Sequence, residues 1–94
     1  MRVKNIKGTS DNQCPCGTWR KHWVNFSSTS WPTLCPVIGC GNPAEVGAHV
    51  QRADIIDQSW YIIPLCRPHN VKNTGPISVS EVELVSANIS QTCG

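Results

Sequence analysis

Long apolar runs are missing from this sequence, and charge of either sign is scarce. No stretch approaches the roughly 20 apolar residues of a transmembrane helix, and residues 1–13 are polar, without the apolar segment of a secretory signal. Eight Lys and Arg against six Asp and Glu leave a net charge of only +2. We therefore expect a cytoplasmic protein with no membrane partner, and the small charge permits nucleic acid as a partner without requiring it.

The chain also has little material for a hydrophobic core. Its 94 residues form one small domain, which buries a limited fraction of its surface and gains much stability from a metal or from disulfides. Six cysteines and three histidines are present. In a reducing compartment such residues indicate metal sites in preference to disulfides. Residues 1–13, rich in Lys, Asn, Gly and Ser, predict a flexible lead-in.

The spacing of apolar residues predicts a small α+β domain. In chain order we expect a helix at 18–26, a strand at 46–51, a strand at 60–65, a helix at 68–74 and a strand within 77–85. In the first helix Trp19, Trp23 and Phe26 fall on one apolar stripe, with His22 at its edge. The two strands of the middle region form a hairpin that delivers the chain to the second helix.

Two pairs of metal ligands flank the predicted hairpin. Cys35 and Cys40 enclose a short turn with nearby glycines, as a zinc knuckle requires, and Cys66 and His69 begin the second helix. Such a Cys₃His set completes a tetrahedral shell and is typical of a structural zinc ion. The alternative is that the cysteines are buried apolar groups and His69 an ordinary helix residue. We assign residues 14–94 to a single zinc-stabilised domain.

A second zinc site is one reading of the remaining ligands. Cys14, Cys16 and Cys93 could join His22, although the Cys-x-Cys spacing is tighter than the usual pattern. The alternatives are free thiols with His22 packed beside the aromatic stripe, or a disulfide from Cys14 or Cys16 to Cys93 in an oxidising compartment.

Two further polar residues follow the order of the ligands. His49 alternates with Val46, Ala48 and Val50 on the first strand of the hairpin, so we expect it on the opposite face, exposed to a groove. Asn70 directly follows the last ligand. The simplest roles are a hydrogen bond from His49 to a neighbouring backbone group and a capping bond by Asn70.

Residues 34–75 resemble the HNH superfamily of ββα-metal, treble-clef proteins, particularly the zinc-stabilised branch typified by phage recombination endonuclease VII. The resemblance is carried by Cys35-x₄-Cys40, by Gly47-Ala48-His49-Val50, and by Leu65-Cys66-x₂-His69-Asn70. It implies a zinc knuckle, a β-hairpin and a short helix, to which this chain adds an N-terminal helix and a C-terminal strand.

The resemblance also implies roles in catalysis. His49 would be the general base that activates water, and Asn70 would help to hold Mg²⁺ or Mn²⁺ over the scissile phosphate. This chain has Ala48 where the family usually has Asp or His, and no His follows Asn70. Asp54 and Asp57 could supply further oxygen ligands or could be solvated turn residues.

Three functions are compatible with these features. The first is a metal-dependent HNH-like nuclease that uses His49 and Asn70. The second is a non-catalytic nucleic-acid-binding domain whose phosphate contacts would be Arg20, Lys21, Arg52, Arg67 and Lys72. The third is a small zinc-stabilised interaction module whose four tryptophans partly serve a protein partner.

Overall fold

In the described part of the chain, five short strands form one antiparallel sheet in the order β4-β1-β2-β3-β5. The computed structural model describes residues 1–6, 17–72 and 75–88, with the backbone alone for residues 71 and 72. The elements are β1 (Arg2–Asn5), α1 (Trp19–Phe26), β2 (Val46–Arg52), β3 (Tyr61–Leu65), α2 (Arg67–Lys72), β4 (Ile77–Ser78) and β5 (Val85–Ser86). The predicted α+β class and the central hairpin are confirmed.

The β2–β3 hairpin separates two layers of packing. Its register places Ala48 opposite Ile63 and His49 opposite Ile62, so neighbouring positions point to opposite faces. One face, here called the core face, packs against the knuckle and the chain after β4; its buried residues are Val3, Cys35, Ala48, Val50, Ile63, Leu65, Cys66 and Val79. The other, the helix face, carries Ile62 and is covered by α1 through Trp23.

Helix α1 lies across β2 and β3 because its inner side is aromatic. Thr18 caps its start, since the Thr18 hydroxyl accepts a hydrogen bond from the Lys21 N–H at 3.0 Å. Trp23 and His22 are fully buried, whereas Phe26 is 40% exposed. The predicted stripe is therefore shifted: His22 lies inside it, and Phe26, the last residue of α1, lies partly outside it.

The predicted lead-in at 1–13 is wrong over its first residues. Arg2–Asn5 forms β1, which pairs with β2 on one side and β4 on the other. Val3 is completely buried and Asn5 is 8% exposed, so this strand contributes to the core face. Only Val3 and Asn5 alternate with the cations Arg2 and Lys4, and this pattern is too short to predict a strand. Long-range pairing with β2 decides the structure. Residues 7–13 lie outside the described part.

The single strand predicted within 77–85 is in fact two strands on opposite edges of the sheet. β4 pairs with β1, and β5 pairs with β3. Between them the chain crosses the core face, where Val79, Val82 and Leu84 pack. The alternating apolar residues that indicated one strand instead pack against the core along this crossing segment.

Gly47 sets how closely α1 approaches β2. A Cβ at this position would lie 2.5 Å from the carbonyl carbon of Trp19 and 2.6 Å from the backbone nitrogen of Arg20. We expect Gly47→Ala to lower the free energy of unfolding by about 1–3 kcal/mol, because the helix backbone must move. Urea unfolding measures this, with Gly41→Ala as control, since no atom lies within 4 Å of that added methyl. Equal effects of the two substitutions would contradict the packing described.

Candidate metal centre

Four ligand atoms converge where the hairpin meets α2. The three sulfurs of Cys35, Cys40 and Cys66 and a ring nitrogen of His69 all lie within 4.8 Å of one another. Cys40 Sγ is 3.8 Å from Cys66 Sγ, and His69 Nδ1 is 3.1 Å from Cys66 Sγ and 3.9 Å from Cys35 Sγ. Metal–sulfur bonds of about 2.3 Å predict ligand separations of about 3.8 Å in a tetrahedron. The group is therefore compact enough to bind one metal ion.

The first ligand pair is held by a tight turn. The Cys40 N–H donates to the Val37 carbonyl at 2.9 Å, and the Cys35 N–H donates to the Asn42 carbonyl at 2.9 Å. Gly39 has a φ of +83°, a conformation that side chains rarely adopt. The turn therefore aims both sulfurs at the same point.

The second pair depends on the junction of β3 and α2. Cys66 follows the last residue of β3, and His69 lies in the first turn of α2. The Asn70 N–H donates to the Cys66 carbonyl at 3.1 Å, which closes that turn. A six-residue helix is too short to be stable alone, so α2 relies on its contacts with the rest of the domain.

The cysteines differ in how readily they ionise. Burial raises the pKa of the Cys35 thiol to about 11, because desolvation disfavours the thiolate. Burial acts in the same direction on Cys66, but hydrogen bonds from the His69 backbone and ring and from the thiols of Cys35 and Cys40 outweigh it and lower the pKa of Cys66 to about 7. Cys35, Cys40 and Cys66 form no disulfide. A bound dication would favour the thiolate at all three positions.

Two asparagines that the sequence did not single out support the ligands. The amide nitrogen of Asn42 lies 3.9 Å from Cys66 Sγ and can donate to it. Asn5 donates through its side-chain amide to the carbonyl of Asn70 at 3.0 Å and to Oδ1 of Asn70 at 2.9 Å. The first could have been suspected from its place just after Cys40, whereas nothing in the local sequence connects Asn5 with α2.

His49 is not exposed to a groove, as the strand pattern predicted. It is only 6% exposed, because α1 covers the helix face. The Trp19 ring lies 4.4 Å from the His49 ring, and the Trp60 ring lies 6.5 Å away on another side. Desolvation by burial, followed by the nearby His22, lowers the pKa of His49 below its ordinary value.

The structure does not bring together the two residues predicted to be catalytic. His49 lies opposite Ile62 on the helix face. Asn70 instead contacts Asn5, which lies opposite Val50 on the core face. The sheet therefore stands between the His49 imidazole and the Asn70 amide.

The two aspartates of the β2–β3 loop are engaged elsewhere. Asp54 forms a 2.8 Å ion pair with Arg52, and Asp57 accepts a 2.6 Å hydrogen bond from the Tyr61 hydroxyl. Each of these bonds is the main reason why the pKa of the carboxyl group is lowered. This loop lies at the end of the hairpin away from Cys66.

Of the four residues predicted to form a second zinc site, the structure describes only His22. Cys14, Cys16 and Cys93 lie outside the described residues. His22 Nε2 is 2.9 Å from the Ser86 carbonyl oxygen, and because a carbonyl can only accept, this nitrogen carries the proton. Histidine ligands commonly make such a bond through the nitrogen that does not bind metal. The second site stays a prediction.

Neither a protein-family model, nor a curated protein, nor a solved structure matches this chain. No helix in the described ranges is long and apolar enough to cross a membrane. The assignment of the site therefore depends on its own geometry.

Loss of one ligand tests the metal site. We expect Cys40→Ser to lower the metal content by at least one ion per chain, measured by elemental analysis, and to lower the midpoint of thermal unfolding sharply, because metal binding and folding share their free energy. Ile38→Ser is the control, since Ile38 lies in the same turn and is 67% exposed. Unchanged metal content in Cys40→Ser would contradict the assignment.

Burial of His49 predicts a pH dependence of stability. The unfolded chain takes up a proton near pH 6.5, whereas folded His49, with its lowered pKa, resists protonation. The free energy of unfolding therefore falls by at most about 1.4 kcal/mol for each pH unit below about 6.5, until the pH reaches the pKa of His49 in the folded state.

Urea unfolding of the wild type and His49→Gln at pH 7.5 and 5.5 isolates this contribution, since the metal ligands and His22 are the same in both proteins. We expect the wild type to lose more stability than the variant on acidification. An identical pH dependence would show that His49 does not resist protonation.

Proposed function

We propose that this chain is a zinc-stabilised nucleic-acid-binding domain that does not cleave its partner. Zinc is the metal that three thiolates and one imidazole in a tetrahedral set favour best. The order of knuckle, hairpin and short helix, and the resemblance of residues 34–75 to HNH treble-clef proteins, support this choice. A closed shell of four protein ligands gives the zinc a structural role.

The observation that carries the proposal is the pairing of charges. Four of the five acidic residues in the described ranges have partners, with exposed Glu81 as the exception: Glu45 binds Arg67, Asp54 binds Arg52, Asp57 binds Tyr61, and Glu83 binds Ser28. The exposed cations Arg2, Lys4 and Lys21 have no acidic partner within the described ranges. Unpaired surface cations are what phosphate groups recognise.

Most of the cations predicted from the sequence to bind phosphate have other contacts. Arg52 and Arg67 form ion pairs, and the Arg20 guanidinium lies 4.5 Å from the Trp31 ring. Lys21 remains a candidate, and the side chain of Lys72 lies outside the description. The proposed contacts therefore shift toward β1, whose two cations the sequence analysis had placed in a flexible segment.

The positions of the polar residues support binding without cleavage. His49 and Asn70 lie on opposite faces of the sheet, and Asn70 Oδ1 accepts a hydrogen bond from Asn5. Asp54 and Asp57 hold partners in their own loop. In this arrangement His49 and Asn70 cannot meet at one divalent cation and one phosphate.

The tryptophans give less support to a protein-interaction module than their number indicated. Trp23 is 1% exposed and packs at an interplanar angle of 86° on Trp31, which is partly buried. The side chain of Trp19, the first residue of α1, packs against the same cluster. Three of the four tryptophan side chains therefore pack in or against the core.

Fluorescence anisotropy with labelled oligonucleotides tests the proposal. We expect the zinc-loaded protein to bind with an affinity that falls as salt rises, with a logarithmic slope of about −1.5 to −2.5 for two or three phosphate contacts. No cleavage is expected with Mg²⁺ or Mn²⁺. Absence of salt-sensitive binding to single-stranded and duplex DNA and RNA would overturn the proposal. Metal-dependent cutting that His49→Ala abolishes would establish the nuclease instead.

A further inference from the structure

An exposed tryptophan and two unpaired cations share one side of the sheet. Arg2 and Lys4 alternate with buried Val3 and Asn5, so they point away from the core face. Lys4 lies opposite Gln51, which is two positions from His49 and therefore also on the helix face. Both cations are exposed, so α1 leaves this part of the face open to solvent.

Trp60, the residue just before β3, continues the same row. Tyr61 lies opposite Val50 on the core face, so Trp60, one residue earlier, points to the helix face beside Gln51. Its ring contact with His49 agrees with this direction. We call Arg2, Lys4, Gln51 and Trp60 the basic-aromatic strip. Strand spacings of about 4.8 Å place the backbones of Lys4 and Trp60 roughly 10 Å apart.

Trp60 is held in place although it is 42% exposed. The Ala87 N–H donates to the Trp60 carbonyl at 3.0 Å, which ties the residue to the chain after β5. The Gln51 amide donates to the Gln58 carbonyl at 2.8 Å and braces the approach to Trp60. These bonds hold the backbone that carries the indole, and the indole ring contacts the His49 ring, so little of this segment needs to be ordered when a ligand stacks on it.

The two aspartates of the β2–β3 loop are held on the face of the sheet away from the strip. Asp54 is bound by Arg52, which lies opposite Val3, and Asp57 is bound by Tyr61, which packs on the core face. The strip therefore combines a flat aromatic surface with cations that lack local acidic partners.

We propose that the basic-aromatic strip binds single-stranded nucleic acid, with one base stacked on Trp60 and neighbouring phosphates on Lys4 and Arg2. This inference rests on the proposed function and specifies the form of its partner. A duplex hides the faces of its bases, whereas a single strand offers them for stacking. Because stacking uses the π-face that every base has, the strip would bind with little sequence preference.

Substitution of Trp60 tests the stacking contact. We expect Trp60→Ala to weaken binding of a labelled 12-nucleotide single strand by about 5- to 150-fold, and Trp60→Phe to retain most of the affinity, since an aromatic face remains. Thermal unfolding of each variant verifies that the domain is folded. If Trp60→Ala does not fold, the comparison of Trp60→Phe with Trp60→Leu, which keeps an apolar side chain without a ring, gives the same test.

Substitution of Lys4 tests the phosphate contact. Lys4→Gln should weaken binding and reduce the magnitude of the salt slope by about 0.7, the value for one phosphate of a single strand. Arg67→Gln is the matched control, because Arg67 lies far from the strip. Its ion-pair partner Glu45 is six residues before Gln51, a distance of roughly 20 Å along the strand. The control should change neither the affinity nor the slope.

The outcomes separate this inference from the proposed function. Salt-sensitive binding that survives Trp60→Ala and Lys4→Gln unchanged, or a preference for duplex over single strand, would overturn the strip and leave a nucleic-acid-binding domain. Absence of binding to every oligonucleotide would overturn both proposals.

Discussion

The fold depends on the convergence of three cysteines and one histidine at one end of the central hairpin. The knuckle supplies Cys35 and Cys40, and the junction of β3 with α2 supplies Cys66 and His69. Neither segment has the length or apolar content to hold its shape alone, since α2 has six residues and the knuckle is a turn. A metal ion at this cluster would join both segments to the sheet and would stabilise a core that a chain this small builds on two faces.

The sheet also keeps two groups of polar residues on opposite faces. The metal ligands and Asn70 belong to the core face, whereas His49 lies beneath Trp19 on the helix face. The sheet therefore holds the imidazole and the amide apart. What remains on the surface is a cationic strand beside a half-exposed tryptophan, the arrangement on which the proposed binding of single-stranded nucleic acid rests.

Sequence patterns predicted the elements whose signals are local. The spacing of Cys35 with Cys40 and of Cys66 with His69 identified the ligand cluster, because each pair is set by a single turn. Alternation over β2 and β3 identified the hairpin for the same reason. β1 was not predicted, because four residues that include two cations carry almost no hydrophobic pattern. Its place in the sheet comes from pairing with β2 and β4. The separation of β4 from β5 escaped because alternation does not reveal which edge a strand joins.

The sequence by itself determined the class of the fold, the four residues that converge at one candidate metal site and the alternation that sets His49 apart from its neighbouring valines. Only the tertiary structure decided that α1 covers the face that carries His49, that Asn5 engages Asn70 on the other face, and that Lys4 and Trp60 share one strip. The physical reason is the range of the interactions. A turn or a strand follows from residues a few positions apart, whereas the element that covers each face depends on packing between segments far apart in the chain.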